Sequence, residues 1–161
     1  MEFTLYYRGP LKANRGPKEK HELRQIFHRQ LKELWNQRPL IKFQPKMLDK
    51  TKEDQTLNII KNIQGIDFAP LVTEKAALIA ELSITLLRPE PPGALILNSG
   101  DIDNRLKTFL DALKVPSSSG ELPVNSKAMP DEALFFCLLE NDSLITKISV
   151  NTDRLLEPNL D

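Results

Sequence analysis

The chain has a single cysteine, Cys137, among its 161 residues. That excludes an internal disulfide framework and any cysteine-based zinc cluster. Long apolar runs are also missing. The longest, Ala133 to Leu139, is far short of the roughly 18 residues that a membrane span needs. The opening residues, Met1 to Pro10, lack the basic end and apolar stretch of a secretory signal. There is no glycine-rich phosphate loop, no dinucleotide fingerprint, no internal repeat and no low-complexity tract. These absences lead us to expect a soluble cytoplasmic protein with no membrane association.

What is present is an ordinary globular composition, 40% hydrophobic and 27% charged, at a length that suits one domain. The net charge of +0 conceals a split. Residues 1–62 carry 14 Lys+Arg against 7 Asp+Glu, and residues 63–161 carry 8 against 15. A basic half suits phosphate backbones and an acidic half suits metal ions, although solvated faces would give the same numbers.

Local patterns predict a mixed α/β domain. Phe3, Leu5 and Tyr7 alternate with polar neighbours, as in a half-buried strand. A loop carrying Lys12, Asn14, Arg15 and Lys18 follows. From Lys18 to Gln37 the stripe Leu23, Ile26, Phe27, Leu31, Leu34, Trp35 predicts an amphipathic helix that stops before Pro39. Arg24 and Arg29 fall on the predicted cationic face, and His21 and His28 on a polar-leaning side. Residues 44–74 read as an excursion, a loop or a short helix. Strands are expected over 78–86, 133–139 and 144–151, a second helix over Asp103–Lys114, and a Pro/Ser/Gly-rich loop near 115–132. The expected architecture is one mixed-sheet domain with two main helices.

The chemistry concentrates in two segments. In Gly100-Asp101-Ile102-Asp103-Asn104, two carboxylates two residues apart in an extended stretch would point the same way. Mg²⁺ takes such oxygen ligands when phosphates complete its shell, yet Asp103 is equally a plausible helix N-cap. Asp103, Lys107, Asp111 and Lys114 then recur at helical spacing, as a charged stripe beside the core or as an i,i+4 ion-pair ladder. The third element, Glu140-Asn141-Asp142-Ser143, is either a hairpin tip or the source of a third carboxylate.

Gly-Asp-Ile-Asp-Asn-Arg-Leu-Lys-Thr-Phe-Leu-Asp-Ala-Leu at 100–113, with Glu-Asn-Asp-Ser-Leu-Ile at 140–145, resembles the RusA family of Holliday junction resolvases. Asn141 stands where that family usually has a first Asp. The resemblance implies a Mg²⁺-dependent endonuclease (Mn²⁺ substituting) that acts as a homodimer on branched DNA. It implies Asp101, Asp103 and Asp142 as metal-binding carboxylates and Lys107 as the catalytic lysine, and it includes a basic loop with an Asn, here Asn14. The basic half of the chain adds Lys12, Arg15, Lys18, Arg24 and Arg29 as the expected phosphate contacts. Two other readings stay open. One is a nucleic-acid-binding or assembly subunit with a vestigial site. The other is a metal-dependent enzyme acting on a phosphorylated small molecule.

Overall fold

The computed structural model describes residues 1–51, 57–91 and 101–157, with Asp101 as backbone alone. The first long element is helix α1, Pro17–Trp35, opened by a proline at its first turn. Leu23, Phe27, Leu31 and Trp35 recur every four residues and are all buried, each contributing about 1.5–3 kcal/mol by leaving water. Two short turns follow, a 3₁₀ turn at Leu40–Lys42 and helix α2, Gln44–Met47. Helix α3 spans Asp101–Leu113. It packs against α1, with Phe109 set edge-on to Phe27 at 5.6 Å.

The strands form two sheets. In the first, β1 (Lys61–Ile63) pairs antiparallel with β2 (Ile66–Val72), and β2 pairs parallel with β4 (Phe135–Leu139). In the second, β3 (Ala80–Arg88) pairs parallel with β5 (Ile145–Arg154). The parallel partners are interleaved along the chain, so each pair needs a long crossover, and α3 lies within both. The main core draws on α1, β2, β3, β4 and α3 together. The fold is therefore mixed α/β, as expected, with its strands in two sheets.

Residues 66–72 depart from expectation. The stretch read as an excursion supplies β2, a strand whose Phe68 to Val72 are all buried. It hides in the sequence because both of its faces are covered, so it does not alternate. Asp67 and Pro70 also interrupt its apolar run. Pro70 is tolerated because β1 has already ended there, leaving the proline with β4 alone as neighbour.

The amino-terminal segment keeps the expected period of two, with Phe3, Leu5 and Tyr7 packed on the core. It joins neither sheet. Instead, the Gln30 side chain takes a strand's place, accepting from the Tyr6 N–H at 3.0 Å and donating to its carbonyl at 2.8 Å. Between this segment and β3 lies an apolar cavity of about 320 Å³, floored by Phe109 and Leu138. Among the described residues, no helix is long and apolar enough to cross a membrane.

Candidate active site

Helix α3 already includes Asp101, so the carboxylate pair is helical and not extended. Residues two apart on a helix sit about 200° apart around its axis, so positions 101 and 103 fall on different sides of α3, where an extended strand would place them on one side. Asp103 is inside the first turn and is not the cap. Asp103 and Lys107 are exposed, one turn apart, and neither forms an ion pair with a described residue. The first rung of the expected ladder is thus unmade.

The lower half of the same stripe is fully engaged. Asp111 accepts from the Lys20 ammonium at 2.5 Å, tying the start of α1 to the end of α3. Its other oxygen lies 3.3 Å from Lys114, and Lys114 lies 3.4 Å from Asp142. Burial opposes charge on Asp111, but the hydrogen bonds and charges of Lys20 and Lys114 together outweigh it and hold the carboxyl below its ordinary range. Burial likewise opposes charge on Lys114, and Asp142 and Asp111 outweigh it and raise the ammonium.

Asp142 begins a 3₁₀ turn, Asp142–Leu144, capped by the Asn141 side chain, which accepts from the Ser143 N–H. This turn links β4 to β5 across the two sheets, so it is not a hairpin tip. Glu140 beside it is committed to structure, accepting from the Thr73 hydroxyl at 2.5 Å and from Lys61. The structure does not bring Asp142 to Asp103 within one chain. Asp111 and Asp103 are eight residues apart, about 12 Å along α3, and Asp142 sits at the Asp111–Lys114 end. No group of three or more metal-ligating side chains converges among the described residues. Among the described residues, Asp103 is the carboxylate there without an ion-pair partner. The Asp101 side chain lies outside the described residues.

The basic loop is docked on this helix. The Arg105 guanidinium donates to the Leu11 carbonyl, anchoring the loop between the levels of Asp103 and Lys107. Lys12, Asn14 and Lys18 are exposed, and Asn14 takes a left-handed backbone with φ 52°, which Asn tolerates well. Arg15 pairs with Glu19 at 3.7 Å. Arg29 is exposed farther along α1.

Arg24 corrects the expectation that it contacts DNA. It is 1% exposed and caps the end of α3, donating to the Lys114 carbonyl at 3.1 Å and the Asp111 carbonyl at 2.9 Å. A cation belongs there, where helix carbonyls are left without partners. His21 and His28 are buried too, contrary to their polar-leaning position in the sequence. The His28 Nδ1 accepts from the Phe136 N–H at 2.9 Å, while Nε2 faces the Asp131 carbonyl at 3.2 Å. The ring is therefore neutral with its proton on Nε2, joining α1 to β4. Burial also pushes the Cys137 thiol up to about 12, so it is no nucleophile. Sequence reasoning missed the Lys20–Asp111 and Arg105–Leu11 contacts, which join residues 91 and 94 apart and leave no local signal.

No protein-family model matches the chain, and neither a curated protein nor a solved structure matches it.

Proposed function

We propose that the chain is a Mg²⁺-dependent DNA endonuclease that nicks branched DNA as a homodimer, in the manner of the RusA-type resolvases its motifs resemble. The observation that carries this reading is the docking of the basic loop on α3. The Arg105–Leu11 contact ties the loop of Lys12 and its neighbours to the same half of α3 that carries Asp103 and Lys107, both exposed and without an ion-pair partner among the described residues. Loop cations would hold a phosphate backbone. Asp103 would hold Mg²⁺, joined by Asp101 where the first turn of α3 unwinds so that both face one ion, and the ion would supply an activated water and charge stabilisation at a phosphodiester. Lys107, one turn on, would neutralise charge developing on the scissile phosphate.

Asp142 enters this site from the partner. In its own chain it shares the Lys114 ammonium with Asp111, which lies roughly 12 Å along α3 from Asp103, too far to share an ion. A second copy related by a two-fold axis supplies the third carboxylate reciprocally, giving two sites for two nicks.

A second reading is favoured by the same Lys114–Asp142 pair. If that pair persists in the assembled protein, the chain is a nucleic-acid-binding or assembly subunit with a vestigial site. Nicking of a four-way junction and a linear duplex with Mg²⁺ or Mn²⁺, beside DNA binding in Ca²⁺, separates the two. Metal-dependent nicks support the nuclease. Binding without nicks under any divalent ion supports the subunit, and absence of both refutes both.

A further inference from the structure

The stretch 36–48 contains no Asp or Glu, yet it carries Arg38, Lys42 and Lys46. It forms nearly continuous helical turns, with Ile41 N–H bonded to the Gln37 carbonyl, Lys42 to Pro39, Phe43 to Leu40, and Met47 to Phe43. These turns are fastened inward. Leu40 and Met47 are buried in the core, and the Gln44 amide donates to the Trp35 carbonyl at 2.7 Å. All three cations are exposed, while Leu40 and Met47 face the core. None of them pairs with a described residue.

Two apolar side chains stand among these cations. Phe43 is 47% exposed and Ile41 is 45% exposed. An exposed aromatic ring close in sequence to three exposed cations that have no ion-pair partner among the described residues, with Glu33 engaged by Gln37 at the edge of the stretch, is the chemistry that binds unpaired bases. Cations on a short rigid scaffold track phosphates, and the ring stacks on a base that is not held in a duplex. The patch lies at the far end of α1 from its α3 contact. Fifteen residues of α1 separate Lys20, at the α3 contact, from Trp35, about 22 Å.

We propose that Arg38, Lys42, Lys46 and Phe43 form a binding site for single-stranded nucleic acid, Phe43 stacking a base and the three cations holding consecutive phosphates. The patch lies apart from α3, and its test reads binding alone, so it stands whether or not α3 cleaves.

The experiment is fluorescence anisotropy of labelled dT₁₂ and of a blunt 12-base-pair duplex, with the full-length protein over a salt series. Phe43→Ala weakens dT₁₂ binding at least about five-fold, leaves duplex binding within two-fold, and keeps the salt slope. Phe43→Trp retains the parent affinity. The triple variant Arg38→Ala, Lys42→Ala, Lys46→Ala lowers the single-strand salt slope by about two, at roughly 0.7 per lost contact. All four side chains are exposed, and unchanged melting curves establish that each variant is folded. The proposal is overturned if folded Phe43→Ala binds dT₁₂ like the parent, or if the loss is equal on duplex. It is also overturned if the parent ignores dT₁₂ but binds phosphatidylserine vesicles through the same residues, which would make the patch a membrane-surface site.

Discussion

Asp142 lies 3.4 Å from the Lys114 ammonium, at the opposite end of α3 from Asp103. A charge so placed can serve the Asp103 site only across a dimer. Asp103→Asn and Asp142→Asn should each abolish nicking while leaving the fold intact. Mixed and allowed to exchange subunits, the two variants form heterodimers in half of the assemblies, each with one complete site. About a quarter of the parent's sites return. Mixtures as inactive as either variant alone would place all three carboxylates on one chain.

Arg24 should behave as a structural residue. Arg24→Leu takes the Arg24 donors from two part-buried carbonyls at the end of α3, at about 1–3 kcal/mol each. Urea unfolding should show a loss of about 2–5 kcal/mol. A stable Arg24→Leu protein with weakened DNA binding would return Arg24 to the surface set.

The loop cations should do the reverse. Lys12→Ala and Lys18→Ala each flatten the dependence of duplex affinity on log salt by about one, without moving the melting temperature. Arg15→Ala should change it less, because Glu19 already neutralises that side chain at 3.7 Å. Unaltered slopes for Lys12 and Lys18 would put the duplex elsewhere.

Acid should weaken the fold in two stages. The His21 ring is pushed down to about 4, by burial first and then by the Arg24 charge, and burial also lowers His28. Folded rings stay neutral where unfolded ones take up protons, so stability falls as pH drops from about 6.5 towards 4. His21 alone accounts for as much as about 3 kcal/mol of that loss. The depressed carboxyls of Asp111 and Glu140 hold their contribution down to about 4 and lose it only below. Urea midpoints measured from pH 7.5 to 3 should show both stages, and His21→Phe should shrink the first. A flat midpoint between pH 6.5 and 4.5 would contradict the assignment.

The amphipathic helices were legible because each buries one stripe, so Leu23 to Trp35 and Leu106 to Leu113 announce themselves by spacing. Phe135–Leu139 was legible as a short, wholly apolar run. Ile66–Val72 was not, since a strand covered on both faces and broken by Asp67 and Pro70 matches no simple period. In the site, the residue types and motif spacing could be read, but their geometry could not. Whether Asp101 stands before the helix or within it changes where the two carboxylates project, and one residue of helix decides that. Arg24 looked like any cation on a polar face, because the carbonyls it caps lie 87 and 90 residues away.

The central claim is that the α3 site cuts DNA. The most direct measurement is the rate of Mg²⁺-dependent nicking of a labelled four-way junction by the parent and by Asp103→Asn, with melting curves and junction binding recorded alongside. We expect the parent to nick symmetrically in Mg²⁺ and not in EDTA. We expect folded Asp103→Asn to bind the junction at least as tightly while cutting at least about a hundred-fold more slowly, the ion having lost a charged ligand. If Asp103→Asn cuts like the parent, or if the parent binds junctions yet cuts none under Mg²⁺ or Mn²⁺, the account of α3 as a nuclease site is wrong.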